Sequence, residues 1–277
     1  MVALLEDSYL DIIQKAQRGL GLNDVELAAK AGIHPATLLS LQADSSDSSA
    51  LEAVASALHL DFDSLQHVAA GLWEPKPVSI PDLHQIQSTF GTMAVNAYLV
   101  FEPETDGAVL FDTGGDSAPI LQTLTDHRRI LKSIFLTHLH GDHIAGLEEL
   151  GSLDSIPTFS SSQEPHVGSI HFAYGETFAI GKLTIETRRT TGHTRGGTTY
   201  VVRGLARPVA IVGDALFAGS MGGAPQAWTE ALETNRSAIL SLPDETVICP
   251  GHGPMTTVAE EKAHNPLFPE YKRARSG

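Results

Sequence analysis

Residues 130–136 (ILKSIFL) run directly into Thr-His-Leu-His-Gly-Asp-His, and no other feature narrows the fold of this 277-residue chain as far. The apolar, β-prone run reads as a buried strand. Alternate side chains along a strand share a face, so His138 and His140 are expected to point the same way. Gly141 lets the chain turn, and Asp142 and His143 then stand at the entrance of a helix suggested by "HIAGLEEL". Four nitrogen and oxygen donors would converge at the C-terminal end of a strand, where α/β folds place their sites.

Three later stretches repeat the placement. "TTGHTRGG" offers His193 after the strand "KLTIETRR", "AIVGDALFAG" offers Asp214 after an apolar strand, and "VICPGHGP" offers His252 after another strand, each beside glycine. Glycine neighbours let backbone approach a ligand closely. Any one of these three alone reads as a loop residue bonding a turn. Their agreement in order and type with the first cluster points instead to metal. They divide between two cations: His138, His140 and His193 at one, Asp142, His143 and His252 at the other, with Asp214 bridging. Histidine and carboxylate donors suit Zn, Fe or Mn. Two divalent ions, Zn foremost, are therefore the expected cofactors.

The single cysteine, Cys249, excludes an intrachain disulfide and fits a reducing cytoplasm, the expected location. It follows the apolar "TVI" and is expected to be a small buried hydrophobe. The acidic start "MVALLEDSYLD" lacks the basic region of a secretory signal. No apolar run is long enough for a transmembrane helix. The net charge of −15 argues against broad binding to nucleic acid or to an anionic membrane.

Residues 1–70 read as short helices, with Asn23 or Asp24 capping the second, Gly32 ending it and Pro35 opening the third. "GLWEPKPVSIPD" (71–82) carries three prolines and reads, with residue 83, as a linker or an irregular crossover. From residue 84 to 277 strands dominate: "MAVNAYLVF", "GAVLFD", "ILKSIFL", "KLTIETRR", "TTYVVRG", "PVAIVGD" and "TVICPGH". Helical stretches fall around 116–128, 142–151 and 229–241. An α/β fold with a small all-α N-terminal domain follows.

"LNDVELAAKAGIHPATLLSLQ" and "LEAVASALHLDFDSL" resemble the Cro-like helix-turn-helix domain of bacterial repressors. DNA affinity rests on cations at phosphates. Residues 1–70 hold three basic residues against ten acidic ones, and residues 34–42 contain no Arg or Lys. A packing or substrate-gating module is expected, or one that pairs two copies into a homodimer. A DNA-binding regulator with a metal-sensing domain is the non-enzyme alternative.

Residues 84–270 resemble metallo-β-lactamase-fold hydrolases, and within them the glyoxalase II-like (hydroxyacylglutathione hydrolase-like) branch. The ligand pattern carries the resemblance, with "NAYLV", "VLFDTGG", "GDALFAGSMGG" and "PGHGPMTTVAEEKAHNPLF" as further landmarks. It implies an αββα sandwich with two metals at one edge of the sheets. The activity it implies is hydrolysis of small thioesters or esters, with Asp142 orienting the nucleophile and taking its proton. "GHTRGG" departs from the branch's usual "GHTPG" and sets Arg195 beside the site as a candidate substrate contact. The branch's basic C-terminal helical domain is not matched; Lys272, Arg273 and Arg275 read as a solvated end. A persulfide dioxygenase, using one iron on His138, His193 and Asp214, and a lactonase stay open as alternatives.

Overall fold

The computed structural model describes residues 5–43, 47–151 and 156–273. The first of two six-stranded sheets holds, in sequence order, β1 (Leu83–Phe90), β2 (Met93–Phe101), β3 (Gly107–Phe111), β4 (Ile130–Phe135), β5 (Thr158–Ser161) and β6 (Ile170–Phe172). β1 to β3 pair antiparallel and β3 to β6 parallel. The second sheet runs from β7 (Thr177–Ile180) through β8 (Leu183–Arg189), β9 (Thr198–Arg203), β10 (Val209–Gly213) and β11 (Val247–Pro250) to β12 (Thr256–Thr257). Only β10 and β11 pair in parallel there.

Val100, Val109, Phe111 and Phe135 of the first sheet meet Ile185, Tyr200, Val202 and Ile211 of the second in one apolar layer. Parallel strands buried on both faces read as continuous apolar runs, which is why β3 and β10, buried at every position, are conspicuous in the sequence. β1, β5, β6, β7 and β12 are not among the expected strands. β1 is largely polar and half-exposed, and the other four have only two to four residues. Two buried phenols tie the layers near the site. Tyr98 donates to the Pro250 carbonyl at 2.8 Å and Tyr200 to that of Leu136 at 2.6 Å. Cys249 is fully buried, as expected.

Helices cover both outer faces. The five N-terminal ones are α1 (Tyr9–Gly19), α2 (Asp24–Ala31), α3 (Pro35–Ala43), α4 (Ser48–Ala57) and α5 (Phe62–Ala69). α6 (Ala118–Asp126), α7 (Gly141–Ile144) and α8 (Leu147–Gly151) follow, then α9 (Trp228–Thr234), α10 (Val258–His264) and α11 (Glu270–Arg273). Ile120, Leu124 and Leu150 cover the first sheet, against Leu99, Leu110 and Ile134. This is the αββα sandwich.

The N-terminal helices start and stop where their caps dictate. Asn23 accepts from the Glu26 amide while Glu26 returns a bond to the Asn23 amide, a reciprocal cap worth about 1 kcal/mol. Gly32 ends α2 with φ of 69°, a left-handed turn that glycine adopts at no steric cost. These helices do not close a core of their own. Ile12, Ile13, Leu27, Leu51, Val54 and Leu65 belong to one cluster with Trp228, Ile239 and Phe268, and with Val201, Ala210, Val212 and Ile248 of the second sheet. A methyl at Gly19 would drive into the Trp228 ring, so α1 ends pressed against α9.

Candidate metal centre

The seven expected donors come together from four loops, all at one edge of the two sheets. His138, His140, His193 and Asp214 form one group, and Asp142, His143 and His252 the other. One local expectation needs correcting. β4 ends at Phe135, so His138 and His140 lie in the irregular loop after the strand and not within it. The loop is held by Asp112, whose carboxylate accepts from the Thr137 amide and from its hydroxyl, both at 2.7 Å. His138 is buried and His140 exposed, and their rings meet edge-on at 4.7 Å. Asp142 and His143 lie in the short helix α7, as expected.

Asp112 is the main site residue that the sequence reading missed. It is buried, sits at φ of 57°, and also accepts from His143 Nδ1 at 2.9 Å. Such strain in a non-glycine residue costs on the order of 1–3 kcal/mol and persists where the surroundings over-determine it. A signal existed: "GAVLFD" ends an apolar strand on a lone aspartate, the same pattern that singled out Asp214.

The outer bonds fix which nitrogens face inward. His193 Nδ1 donates to the Gly223 carbonyl at 2.8 Å, and His252 Nδ1 to that of Ala94 at 2.6 Å. The Thr137 hydroxyl donates its one hydrogen bond to Asp112, so at 3.0 Å it accepts from His138 Nδ1. His138, His143, His193 and His252 therefore all turn Nε2 toward the centre, in the manner of metal-ligating histidines. Asp214 spans the two groups. Its Oδ1 lies 3.3 Å from His143 Nε2 and its Oδ2 3.5 Å from both His193 Nε2 and His252 Nε2. Asp142 Oδ2 is 3.2 Å from His252 Nε2.

Glycine makes this crowding feasible at two points. A methyl at Gly251 would collide with Asp214 and the His143 ring, and one at Gly222 would sit 2.9 Å from His193 Nδ1.

The donor set fits divalent cations. His140 Nδ1 lies 3.1 Å from His138 Nε2 and 3.0 Å from His193 Nε2, three ring nitrogens gathered at one point. Lone pairs at that spacing repel unless a proton or a metal cation lies among them, and one shared metal cation would satisfy all three nitrogens at once. His143 Nε2 and Asp214 Oδ1 are buried and face each other at 3.3 Å without a well-formed hydrogen bond, and coordination would satisfy both. Burial and the adjacent His143 hold His138 well below the usual imidazole range. Burial acts the same way on His143 and His252, but Asp214, joined at His143 by Asp112, outweighs it, raising His143 well above that range and His252 to about 9. Without metal, protons on these two rings balance the carboxylates. Bound cations would displace them.

Arg195 is exposed and makes no hydrogen bond or ion pair among the described residues. Lys272 differs from its expected place in a solvated tail, donating to the Asn265 carbonyl at 2.5 Å. Arg275 lies outside the described residues. No helix among them is long and apolar enough to cross a membrane.

Residues 90–252 match the family model of the metallo-β-lactamase superfamily. The probable metallo-hydrolase YqgX of Bacillus subtilis is 30% identical over 64% of this chain and 94% of that protein. A hydroxyacylglutathione hydrolase of Salmonella arizonae is 30% identical over 53% of this chain. The match spans 58% of that enzyme, little more than half its length. The crystal structure of BLEG-1, a B3 metallo-β-lactamase, superposes with a TM-score of 0.59 at 29% identity, covering 67% of this chain and 99% of that one. Fold, donor set and relatives agree: this chain belongs to the metallo-β-lactamase superfamily.

Proposed function

We propose that this chain is a metal-dependent hydrolase of small thioesters or esters, with two divalent cations held by His138, His140, His193, Asp142, His143, His252 and the bridging Asp214. The observation that carries the reading is the cluster of seven inward-facing donors, most of them buried, gathered in two adjoining groups. Thioester chemistry draws its support from the hydroxyacylglutathione hydrolase relative. Bound cations would polarise the substrate carbonyl and bring the pKa of water toward neutrality.

The chain's own residues supply the rest. Asp142 turns Oδ2 toward the His143 and His252 rings, 3.6 and 3.2 Å away, which leaves its other oxygen to orient a water and take its proton. Water oxygen bonds to the carbonyl carbon, the C–S bond breaks, and the electron pair leaves on sulfur. A thiolate departs without being protonated, so thioesters need no general acid on the leaving side. Arg195 would meet anionic substrate groups at the rim.

Metal analysis combined with a panel of thioesters, lactones and β-lactams tests the reading. Two metals per chain and preferential thioester turnover are expected. One iron per chain with oxygen uptake on a persulfide would overturn it.

A further inference from the structure

We propose that Glu6 is a specificity-determining residue, setting a negative charge at the mouth of the metal centre and selecting against substrates whose leaving group carries a carboxylate. The proposal rests on the hydrolase reading above.

The segment before α1 reaches the site because its next residue is anchored there. Asp7 is buried and accepts from Lys15 Nζ at 2.5 Å and from the Ser220 hydroxyl at 2.6 Å. Lys15 Nζ also donates to the Met221 carbonyl at 3.0 Å and lies 5.0 Å above the Phe217 ring. Phe217 in turn meets the His252 ring edge-on at 5.7 Å. The loop so gripped runs between Asp214 and Gly223, whose carbonyl orients His193.

With Asp7 fixed, Glu6 lies on the residue after His252. A Cβ at Gly253 would stand 3.2 Å from the Glu6 amide nitrogen and its Cβ. Gly253 has φ of 72°, so the contact is with a position suited to glycine. Glu6 is exposed and makes no hydrogen bond or ion pair among the described residues. Partial burial raises its carboxyl, and the charges of His252 and Asp214 both act on it, as those of Asp7 and Lys15 do. Asp7 and Lys15 neutralise each other as a pair. Glu6 adds a negative charge within electrostatic reach of His252 and Asp214 that the Asp7–Lys15 pair does not cancel.

Three acetyl thioesters of matched size make the test: those of cysteamine (cation), mercaptoethanol (neutral) and mercaptopropionate (anion), at mildly alkaline pH with zinc-loaded protein. In E6Q the kcat/KM ratio of the anionic to the neutral substrate should rise about five-fold, the scale of one charge acting across a solvated mouth. The cationic-to-neutral ratio should fall, and added salt should shrink both changes. E6K should move both ratios further in the same directions. A second readout needs no turnover: calorimetric affinities of the three free thiols for the same zinc-loaded proteins, which should shift in the same order. Unchanged ratios in both measurements overturn the proposal, as does the absence of thiol binding to either protein. If no thioester is hydrolysed while the thiol affinities shift as stated, the hydrolase reading fails and the role of Glu6 in ligand selection stands.

Discussion

The two halves of the metal centre are built differently. Asp142, His143 and His252 are all buried, whereas the other half leaves His140 exposed and His193 partly so. A buried carboxylate supports the closed half directly, through the bond from His143 Nδ1 to Asp112. A backbone carbonyl supports His193 in the open half, from a loop that the N-terminal segment grips. A carboxylate raises the basicity of its histidine more than a carbonyl does, and it fixes the ring more firmly. The closed half should therefore hold its cation more tightly, and the open half should be where substrate approaches.

Asp214 is where the comparison can be broken outright, because its two oxygens serve both halves. Asp214→Ala should remove both metals and lower kcat/KM by roughly a thousand-fold, since Lewis-acid catalysis goes with the ions. Full metal content at both positions in that variant, measured by elemental analysis, would refute the bridging assignment.

Next in size come single-half variants. Asp112→Ala should weaken metal binding about 10–100-fold, the usual cost of losing a ligand's outer partner. The loss should fall first on the closed half, because His143 loses its direct partner while His138 is reached only through Thr137. His140→Ala should strip the open half and leave one tightly held ion. Competition with a chelator of graded strength separates the two. Equal loss of both ions in both variants would show that the halves form a single unit.

How much of this was legible depended on the kind of interaction. The seven donors could be read because each lies just beyond a strand end, and strand ends at one edge of a sheet converge. Asn23, Gly32 and Pro35 could be read because capping is local. The packing of α1–α5 on the second sheet could not be. Their apolar stripes declare that a partner surface exists, but Trp228 and Ile239 lie far along the chain. Asp112 bonds Thr137 and His143 across 25 and 31 residues, and nothing local specifies such a pairing. β1 escaped notice because a polar strand at a sheet edge carries almost no periodic signal.

A smaller effect probes what braces the open half from behind. Glu261 is fully buried and accepts from the Gly219 amide, the Asn265 amide and the Thr256 hydroxyl. Burial outweighs these bonds and raises its carboxyl from 4.5 to about 7. A carboxyl raised on folding contributes stability that is complete below its unfolded value and lost as pH rises through its folded one. The metal-free protein should thus lose up to about 3 kcal/mol between mildly acidic and neutral pH from this group. In Glu261→Gln that part of the slope should vanish. Parallel melting-temperature profiles for the two proteins across the window would remove Glu261 from the account.

Arg195 carries the smallest expected effect and bears on which charge governs entry to the open half. It stands two residues after His193 in a loop whose Gly196 amide donates to Glu164 at 3.1 Å. The guanidinium itself is exposed and without a partner among the described residues. Nothing in the fold employs it, so its removal should leave the melting temperature within the range of ordinary surface changes, about 0.5 kcal/mol. Its planar fork suits carboxylates. Arg195→Ala should therefore raise KM for anionic thioesters about three-fold, the size of a solvated charge contact of up to about 1 kcal/mol, while kcat stays near its original value. Neutral esters should change less. Equal losses on anionic and neutral substrates would mean that Arg195 shapes the His193 loop. A rise in KM confined to anions would set Arg195 and Glu6 against each other, one drawing carboxylates toward the open half and the other turning them away.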